Sequence, residues 1–114
     1  MKNIDNNQLI ILLKEIVTDL VSHNFNKIVT DKKNGRLTAN EIKKAVYGYP
    51  GDLTMPPEQA FDKYQKYITD QDEVFIIEFE LWYDNEPSDL TLLLEFKRNL
   101  SGNLSTEIDD IRVL

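Results

Sequence analysis

The clearest structural signal in the chain is the run Val74-Phe-Ile-Ile-Glu-Phe-Glu-Leu-Trp-Tyr83. Every second residue of this run, from Phe75 to Tyr83, is apolar, whereas Glu78 and Glu80 occupy alternate positions. Successive side chains of a strand point to opposite faces of a sheet. The pattern therefore predicts a strand with one face in the core and the other in water.

The residues after this run continue the sheet. Turn-forming residues at 84–89 lead into a second alternating run over 90–97, which predicts a second strand. A third strand is expected from Leu104, and its apolar pattern changes parity between Ile108 and Ile111. A β-bulge at Asp109-Asp110 accounts for that change, because a bulge inserts an extra residue into a strand.

The residues before the run have helical periodicity. Apolar residues three and four apart over 6–22 predict an amphipathic helix, and a turn or short helical continuation is expected over 24–28. Thr38-Ala-Asn-Glu41 matches a capping box, which predicts a further helix to about Tyr47. Gly48-Tyr-Pro-Gly51 would end that helix. The spacing over 57–68 fits a helix, but 64–69 fits a strand equally well, so both interpretations stay open.

These elements predict an α+β fold, with two or three N-terminal helices packed on a curved antiparallel meander of three to five strands. A cone-shaped arrangement, NTF2-like or cystatin-like, is one form of that architecture. The chain has 114 residues, of which 41% are hydrophobic and 29% charged. That length and composition predict one domain over residues 1–114.

The charge of the chain is unevenly distributed. Residues 1–57 hold eight Lys and Arg against six Asp and Glu, whereas residues 58–114 hold five against fourteen. An acidic surface repels the phosphates of nucleic acids and anionic lipids, and it speeds encounter with a basic protein. We therefore expect no nucleic-acid or membrane partner.

Cysteine is absent, which excludes disulfides, thiolate metal sites and a cysteine nucleophile. The N-terminal residues lack the uninterrupted apolar stretch of a signal peptide or a membrane span. Both observations favour a cytoplasmic location.

Two segments imitate metal or catalytic sites without the required groups. The segment Thr30–Glu41 has the glycine and glutamate spacing of an EF-hand loop, but Thr30 and Lys32 stand where ligands are needed. A glycine turn before a capped helix is the better interpretation. His23, the only histidine, is expected at the end of the first helix, where a cation interacts favourably with the helix dipole.

The remaining candidates for chemistry also have structural interpretations. The pairs Glu78/Glu80 and Asp109/Asp110 could serve as acid and base, but a solvated sheet face and a bulge explain them. Ser88-Asp89 could be read as a nucleophile and its neighbour, although both residues are common in turns. We therefore predict no catalytic residue, no metal ligand and no cofactor, and hence no enzymatic activity.

Several short motifs, in order along the chain, resemble a family of small bacterial domains of unknown function. They are Gly35-Arg-Leu-Thr38 with Glu41, Tyr49, Met55-Pro-Pro57, Leu81-Trp82, Ser88-Asp-Leu-Thr-Leu92 and Ile108-Asp-Asp-Ile-Arg-Val-Leu114. The resemblance covers roughly residues 8–114, implies a strand at 64–69 and brings no established activity with it. Arg112 stands where that family often has histidine.

A short acidic α+β chain with a curved sheet is also similar to immunity proteins of polymorphic toxin and contact-dependent growth-inhibition systems. The first functional hypothesis is therefore a cytoplasmic immunity protein that binds and neutralises a cognate, basic toxin domain. Aromatic side chains inside a charged rim are typical of tight interfaces. The predicted partner-binding residues are Trp82, Tyr83, Asp84, Glu86, Asp89, Asp70, Asp72 and Glu73.

Two other hypotheses remain. One is a small-molecule-binding or enzymatic NTF2-like domain, which would need a cavity lined by Tyr64, Tyr67 and Trp82. The other is a weak homodimer, as the alternative to a monomer, formed through an exposed sheet face or edge that uses Leu93 and Ile76.

Overall fold

The computed structural model describes residues 2–114, with side chains from residue 6 onward. Three helices precede five antiparallel strands, which confirms the predicted α+β fold. The helices are α1 (Lys2–Val21), α2 (Phe25–Thr30) and α3 (Ala39–Tyr47). The strands are β1 (Leu53–Thr54), β2 (Gln65–Ile68), β3 (Val74–Tyr83), β4 (Glu86–Arg98) and β5 (Leu104–Val113). Within the described residues, no helix is long and apolar enough to cross a membrane.

The start of α3 is the predicted capping box. The hydroxyl of Thr38 accepts a hydrogen bond from the Glu41 N–H at 3.1 Å, and the Glu41 carboxylate accepts one from the Thr38 N–H at 2.9 Å. Gly35 precedes the box with a φ of 58°, and a Cβ there would overlap the carbonyl oxygen of Ile108. The EF-hand-like segment is therefore a glycine turn before a capped helix, because both the backbone and the close approach require glycine.

His23 lies just beyond the end of α1, as predicted, and ends the helix through its backbone. Its φ is 62°; its N–H donates to the carbonyl of Leu20, and the Asn24 N–H donates to that of Asp19. These two bonds form a Schellman motif, which satisfies carbonyls that the helix end leaves without partners. The imidazole packs against Phe25 and Tyr47, with ring centroids 6.0 and 5.4 Å away.

β3 is the strand around which the sheet is built. One edge of β3 pairs with β4, which in turn pairs with β5. The other edge pairs with β2 near the start of β3 and with β1 at its end. Both interpretations of residues 57–69 are partly right, since a 3-10 helix over Glu58–Asp62 is followed by β2.

The turn predicted over 84–89 is shorter in the structure. Asp84 and Asn85 have φ values of 53° and 65°, and β4 begins directly afterwards. The turn-forming residues Pro87, Ser88 and Asp89 instead lie within β4, where the pairing is irregular opposite Leu81. There the Ser88 hydroxyl donates to the Leu81 carbonyl at 2.6 Å and accepts from the Leu90 N–H at 3.2 Å. Ser88 therefore supplies hydrogen bonds that the interrupted ladder lacks.

The predicted bulge in β5 is confirmed. Leu93 pairs with Asp110 while Leu94 pairs with Ile108, so Asp109 is the extra residue. The bulge returns Ile111 to the same face as Ile108, which keeps both side chains buried.

The core lies between the helices and one face of the sheet, which we call the inner face. Apolar side chains of all three helices form one buried cluster with those of β3, β4 and β5. Phe61 from the 3-10 helix stacks on Phe79, with centroids 5.4 Å apart, and Phe75 stacks on Phe96 at 5.3 Å. Because the inner face is filled by this packing, any binding surface of the sheet has to use the other face.

Candidate partner-binding face

The face of the sheet that points away from the helices is called the open face below. Strand register defines its rows, since paired residues of antiparallel strands lie on the same face. Four rows run from β3 through β4 to β5, the first of which is Val74–Lys97–Ser105. The other three are Ile76–Glu95–Glu107, Glu78–Leu93–Asp110 and Glu80–Thr91–Arg112.

Negative charge dominates the open face. Alternation along the strands and the lining of the groove place six carboxylates and three cations there. The carboxylates belong to Glu78, Glu80, Asp89, Glu95, Glu107 and Asp110, and the cations to Lys63, Lys97 and Arg112. Arg112 pairs with Asp110 at 3.0 Å, which leaves the excess of carboxylates on β3 and β4.

A groove of about 520 Å³ crosses this face. Its lining includes Glu78, Glu80, Asp89 and Thr91, with Lys63 on one side. Thr91 is buried at the base, with 5% of its surface exposed. A groove lined in this way suits a cationic side chain better than an apolar ligand, because carboxylates favour an opposite charge.

The groove is joined to an edge strand by one hydrogen bond. The Tyr67 hydroxyl on β2 donates to the Glu78 carboxylate at 3.1 Å, and this bond raises the pKa of Tyr67 above its usual value. Tyr67 thereby positions the Glu78 carboxylate in the groove.

Trp82 lies at the end of the open face beside an apolar depression of about 280 Å³. Met55, Pro57 and Asn85 line the depression with it. The indole is partly exposed, while Leu81 and Tyr83 on either side are buried in the core. Trp82 is therefore the aromatic side chain of this strand end that a partner could contact.

Comparison with protein families finds a match over residues 17–114, which includes the whole open face and the helices behind it from Val17 onward. The chain belongs to the family of domains of unknown function DUF7668. The predicted resemblance to a domain family of unknown function is confirmed at that level. No curated protein and no solved structure matched the chain.

The structure places Tyr83 of this DUF7668 domain in the core rather than at the candidate site. Only 5% of its surface is exposed, and its hydroxyl donates to the Val46 carbonyl at 2.6 Å. Burial, together with the nearby Tyr49, raises the pKa of Tyr83 to about 12. β-strand alternation turns Tyr83 towards the core and away from Trp82, so the two side chains do not share a surface.

Asp84 has a structural task. Its carboxylate accepts from the Asp52 N–H at 3.1 Å, and its own N–H donates to the Asp52 carbonyl at 2.8 Å. These bonds tie the turn after β3 to the segment after α3. Substitution of Asp84 would therefore disturb the fold as well as the charge. Glu86, two residues on, is exposed at the start of β4.

Asp89 lines the groove and also anchors the loop after α3. Its carboxylate accepts a hydrogen bond from the Tyr49 hydroxyl, which raises the pKa of Tyr49. The neighbouring Ser88 hydroxyl is engaged by the backbone of β3 and β4, so its turn-like role is the one that the structure supports.

Asp70, Asp72 and Glu73 lie at the opposite end of the sheet, in the turn between β2 and β3. β3 has 10 residues, which separates this turn from Asp84 by about 30 Å. Glu73 also pairs with Arg98 at 3.3 Å. The eight predicted residues therefore form two separate groups, because β3 runs the length of the sheet between them.

Sequence reasoning missed most of the carboxylates of the open face. The sequence patterns favour a solvated face over an acid and base pair for Glu78 and Glu80, and they single out neither Glu95 nor Glu107 for the site. The signal was present in the period-two alternation, which already assigns them to one face. Asp109 and Asp110 have structural partners: Arg36 at 3.6 Å for Asp109, and the Ile111 N–H and Arg112 for Asp110.

The residues of the other two hypotheses are also placed. Tyr64 lines the groove, Trp82 lines the separate depression, and Tyr67 lies on exposed β2, so the three do not surround one cavity. Leu93, proposed for a homodimer, is only 5% exposed, because neighbours on the open face cover it. Among the described side chains, no group of three or more His, Asp or Glu lies close enough to hold a metal ion.

Proposed function

We propose that this domain binds a basic protein through the open face of its sheet. We further propose that it is a cytoplasmic immunity protein, which neutralises a cognate toxin domain of a contact-dependent growth-inhibition or polymorphic toxin system. One observation carries the proposal: the sheet face away from the helices holds six carboxylates against three cations.

The charge of the open face affects both the rate and the selectivity of partner binding. Opposite charges accelerate the encounter of two proteins, and like charges exclude wrong partners. The carboxylates stand on paired strands, whose hydrogen bonds hold them in a fixed arrangement, so binding requires little ordering of this surface. A basic protein with a complementary surface is the partner that fits.

Binding rather than catalysis is favoured by the engagement of the reactive side chains. The Ser88 hydroxyl is held by backbone groups of the sheet. His23 packs on Phe25 and Tyr47 at the end of α1, and the phenol of Tyr49 is bonded to Asp89. Catalysis by general acid and base needs such groups free to reach a substrate.

The test is neutralisation of the toxin encoded beside the gene for this domain. Toxin and domain are co-expressed, and growth is measured with wild type and with the double variant Glu78→Lys/Glu80→Lys. The matched control is Asp70→Lys/Asp72→Lys, which makes the same change of charge at the other end of β3. Circular dichroism confirms that each variant is folded.

We expect the open-face variant to lose protection and its affinity for the purified toxin domain to fall by at least about tenfold. The control variant should protect like wild type. Binding by the wild type should slow as salt is added, because salt screens the attraction. Equal protection by both variants would contradict the proposed face, and absence of a neighbouring toxin gene would count against the immunity role.

A further inference from the structure

The depression beside Trp82 is an apolar feature next to a charged groove. Met55 is 44% exposed there. Methionine and tryptophan are both enriched in the cores of protein interfaces, so an exposed pair of them is a candidate contact site. The volume of about 280 Å³ is below the range of roughly 300–1,000 Å³ typical of small-molecule pockets. It therefore suits a single protruding side chain better than a free ligand.

The groove begins two residues from Trp82 on the same strand. Glu80 and Glu78 precede Trp82 by two and four positions, share its face and line the groove. At about 3.3 Å per residue, they stand roughly 7 and 13 Å from it along β3. An extended peptide has the same spacing, so its alternate side chains would match these positions.

We propose that the partner presents an extended segment to this face. One apolar side chain of the segment enters the depression beside Trp82, and a lysine or arginine two or four positions away enters the groove at Glu80 or Glu78. This inference rests on the proposed function and names the chemistry of the segment that the face recognises. Charge complementarity with the groove selects a basic segment.

The residues that line the depression and the groove indicate which side chain of the segment each would bind. The depression is lined by Trp82, Met55 and Pro57, whose contacts would stabilise an apolar side chain. The groove offers Glu78, Glu80 and Asp89, and an arginine there can form charge-assisted hydrogen bonds. Since most small-molecule sites are lined chiefly by apolar groups, the groove resembles a protein interface more closely.

Trp82 is the only tryptophan of the chain, so its fluorescence reports on the depression alone. The probes are capped synthetic peptides of glycine and serine that contain one leucine and one arginine. Two have the leucine and arginine two or four positions apart. Two matched controls have them one or three positions apart, which places the two side chains on opposite faces of an extended chain.

We expect the peptides with even spacing to shift the emission of Trp82 to shorter wavelength at millimolar concentration and to bind at least about fivefold more tightly than the controls. Met55→Lys should weaken their binding by about tenfold, because the lysine side chain occupies the depression and its ammonium group repels the arginine of the peptide. The matched control is Ile68→Lys, at a site on β2 that is 82% exposed, and it should bind normally. Equal binding of all four peptides, or no shift of Trp82 emission by any of them, would overturn the inference.

Failure of this inference and failure of the proposed function give different results. The toxin could be neutralised through Glu78 and Glu80 while Met55→Lys still protects fully. The insertion of an apolar side chain beside Trp82 would then be wrong, and binding through the acidic face would be supported. If the evenly spaced peptides bind but the open-face variants still neutralise the toxin, the recognition of basic segments stands and the immunity function through this face is wrong.

Discussion

Replacement of Tyr83 by phenylalanine tests whether this residue belongs to the core. The Tyr83 hydroxyl donates to the Val46 carbonyl at 2.6 Å from a side chain that is 5% exposed. Tyr83→Phe removes the donor and leaves a buried carbonyl without it. Such a loss lowers the free energy of unfolding by about 1–2 kcal/mol at neutral pH.

The same substitution has a second effect with a known sign. Burial raises the pKa of Tyr83 from 10.0 to about 12, so the folded protein holds the phenolic proton more tightly than the unfolded chain does. The stabilisation is complete below about pH 10 and is lost as pH rises through about 12. With 1.36 kcal/mol per pKa unit, the wild type loses about 1.4 kcal/mol by about pH 11. The phenylalanine variant has no such loss.

The two proteins should therefore differ by about 1–2 kcal/mol at neutral pH and become nearly equal near pH 11. Urea unfolding at both pH values, followed by circular dichroism, measures both differences. The other tyrosines titrate in both proteins, so their contributions cancel. A difference that stays constant from neutral pH to pH 11 would refute the assignment of Tyr83 to the core.

Three further substitutions test the turn, the irregular strand and the open face. Asn85→Gly should raise the free energy of unfolding by about 0.5–1 kcal/mol in urea titrations, because Asn85 has a φ of 65° in a turn that favours glycine. Ser88→Ala should lower it by about 1–3 kcal/mol, since the Leu81 carbonyl and the Leu90 N–H lose their partner; an unchanged unfolding midpoint would contradict the role given to this hydroxyl. Glu78→Lys/Glu80→Lys should lower stability by no more than about 1.5 kcal/mol, the contribution of the lost Tyr67–Glu78 hydrogen bond, and thermal melting that shows a larger loss would mean that the open face supports the fold.

Local sequence patterns predicted the parts of the fold that depend on neighbouring residues. The alternation around Glu78 gave β3, Thr38 and Glu41 gave the start of α3, and the change of parity between Ile108 and Ile111 gave the bulge in β5. In each case the hydrogen bonds or side-chain directions are fixed within a few residues along the chain. Such features need no knowledge of the tertiary structure.

The parts that sequence could not supply depend on distant partners. Turn residues after Asp84 predicted a loop, but the Ser88 hydroxyl uses the same chemistry to support an irregular strand against Leu81. The hydrogen bond from Asp52 to the Asp84 carboxylate joins residues 32 positions apart. The sequence likewise predicted Trp82, Tyr83, Asp84 and Glu86 at one strand end, but left open which acidic residues share a surface. The register of β3 with β4 and β5 was needed to show which carboxylates share the open face.

The alternation of β3 separates the stability of this domain from its binding. Inner-face residues such as Phe79 fix the register, because a slip by one residue would move them to the open face. Glu80, one position on, is exposed and can change its charge without entering the core. A loss of binding in Glu80 variants can therefore be assigned to a lost contact with the partner. The same loss in an Asp84 variant could not, because its carboxylate also holds Asp52. Charge reversal on β3 is for that reason the experiment that distinguishes a partner-binding face from a merely solvated one.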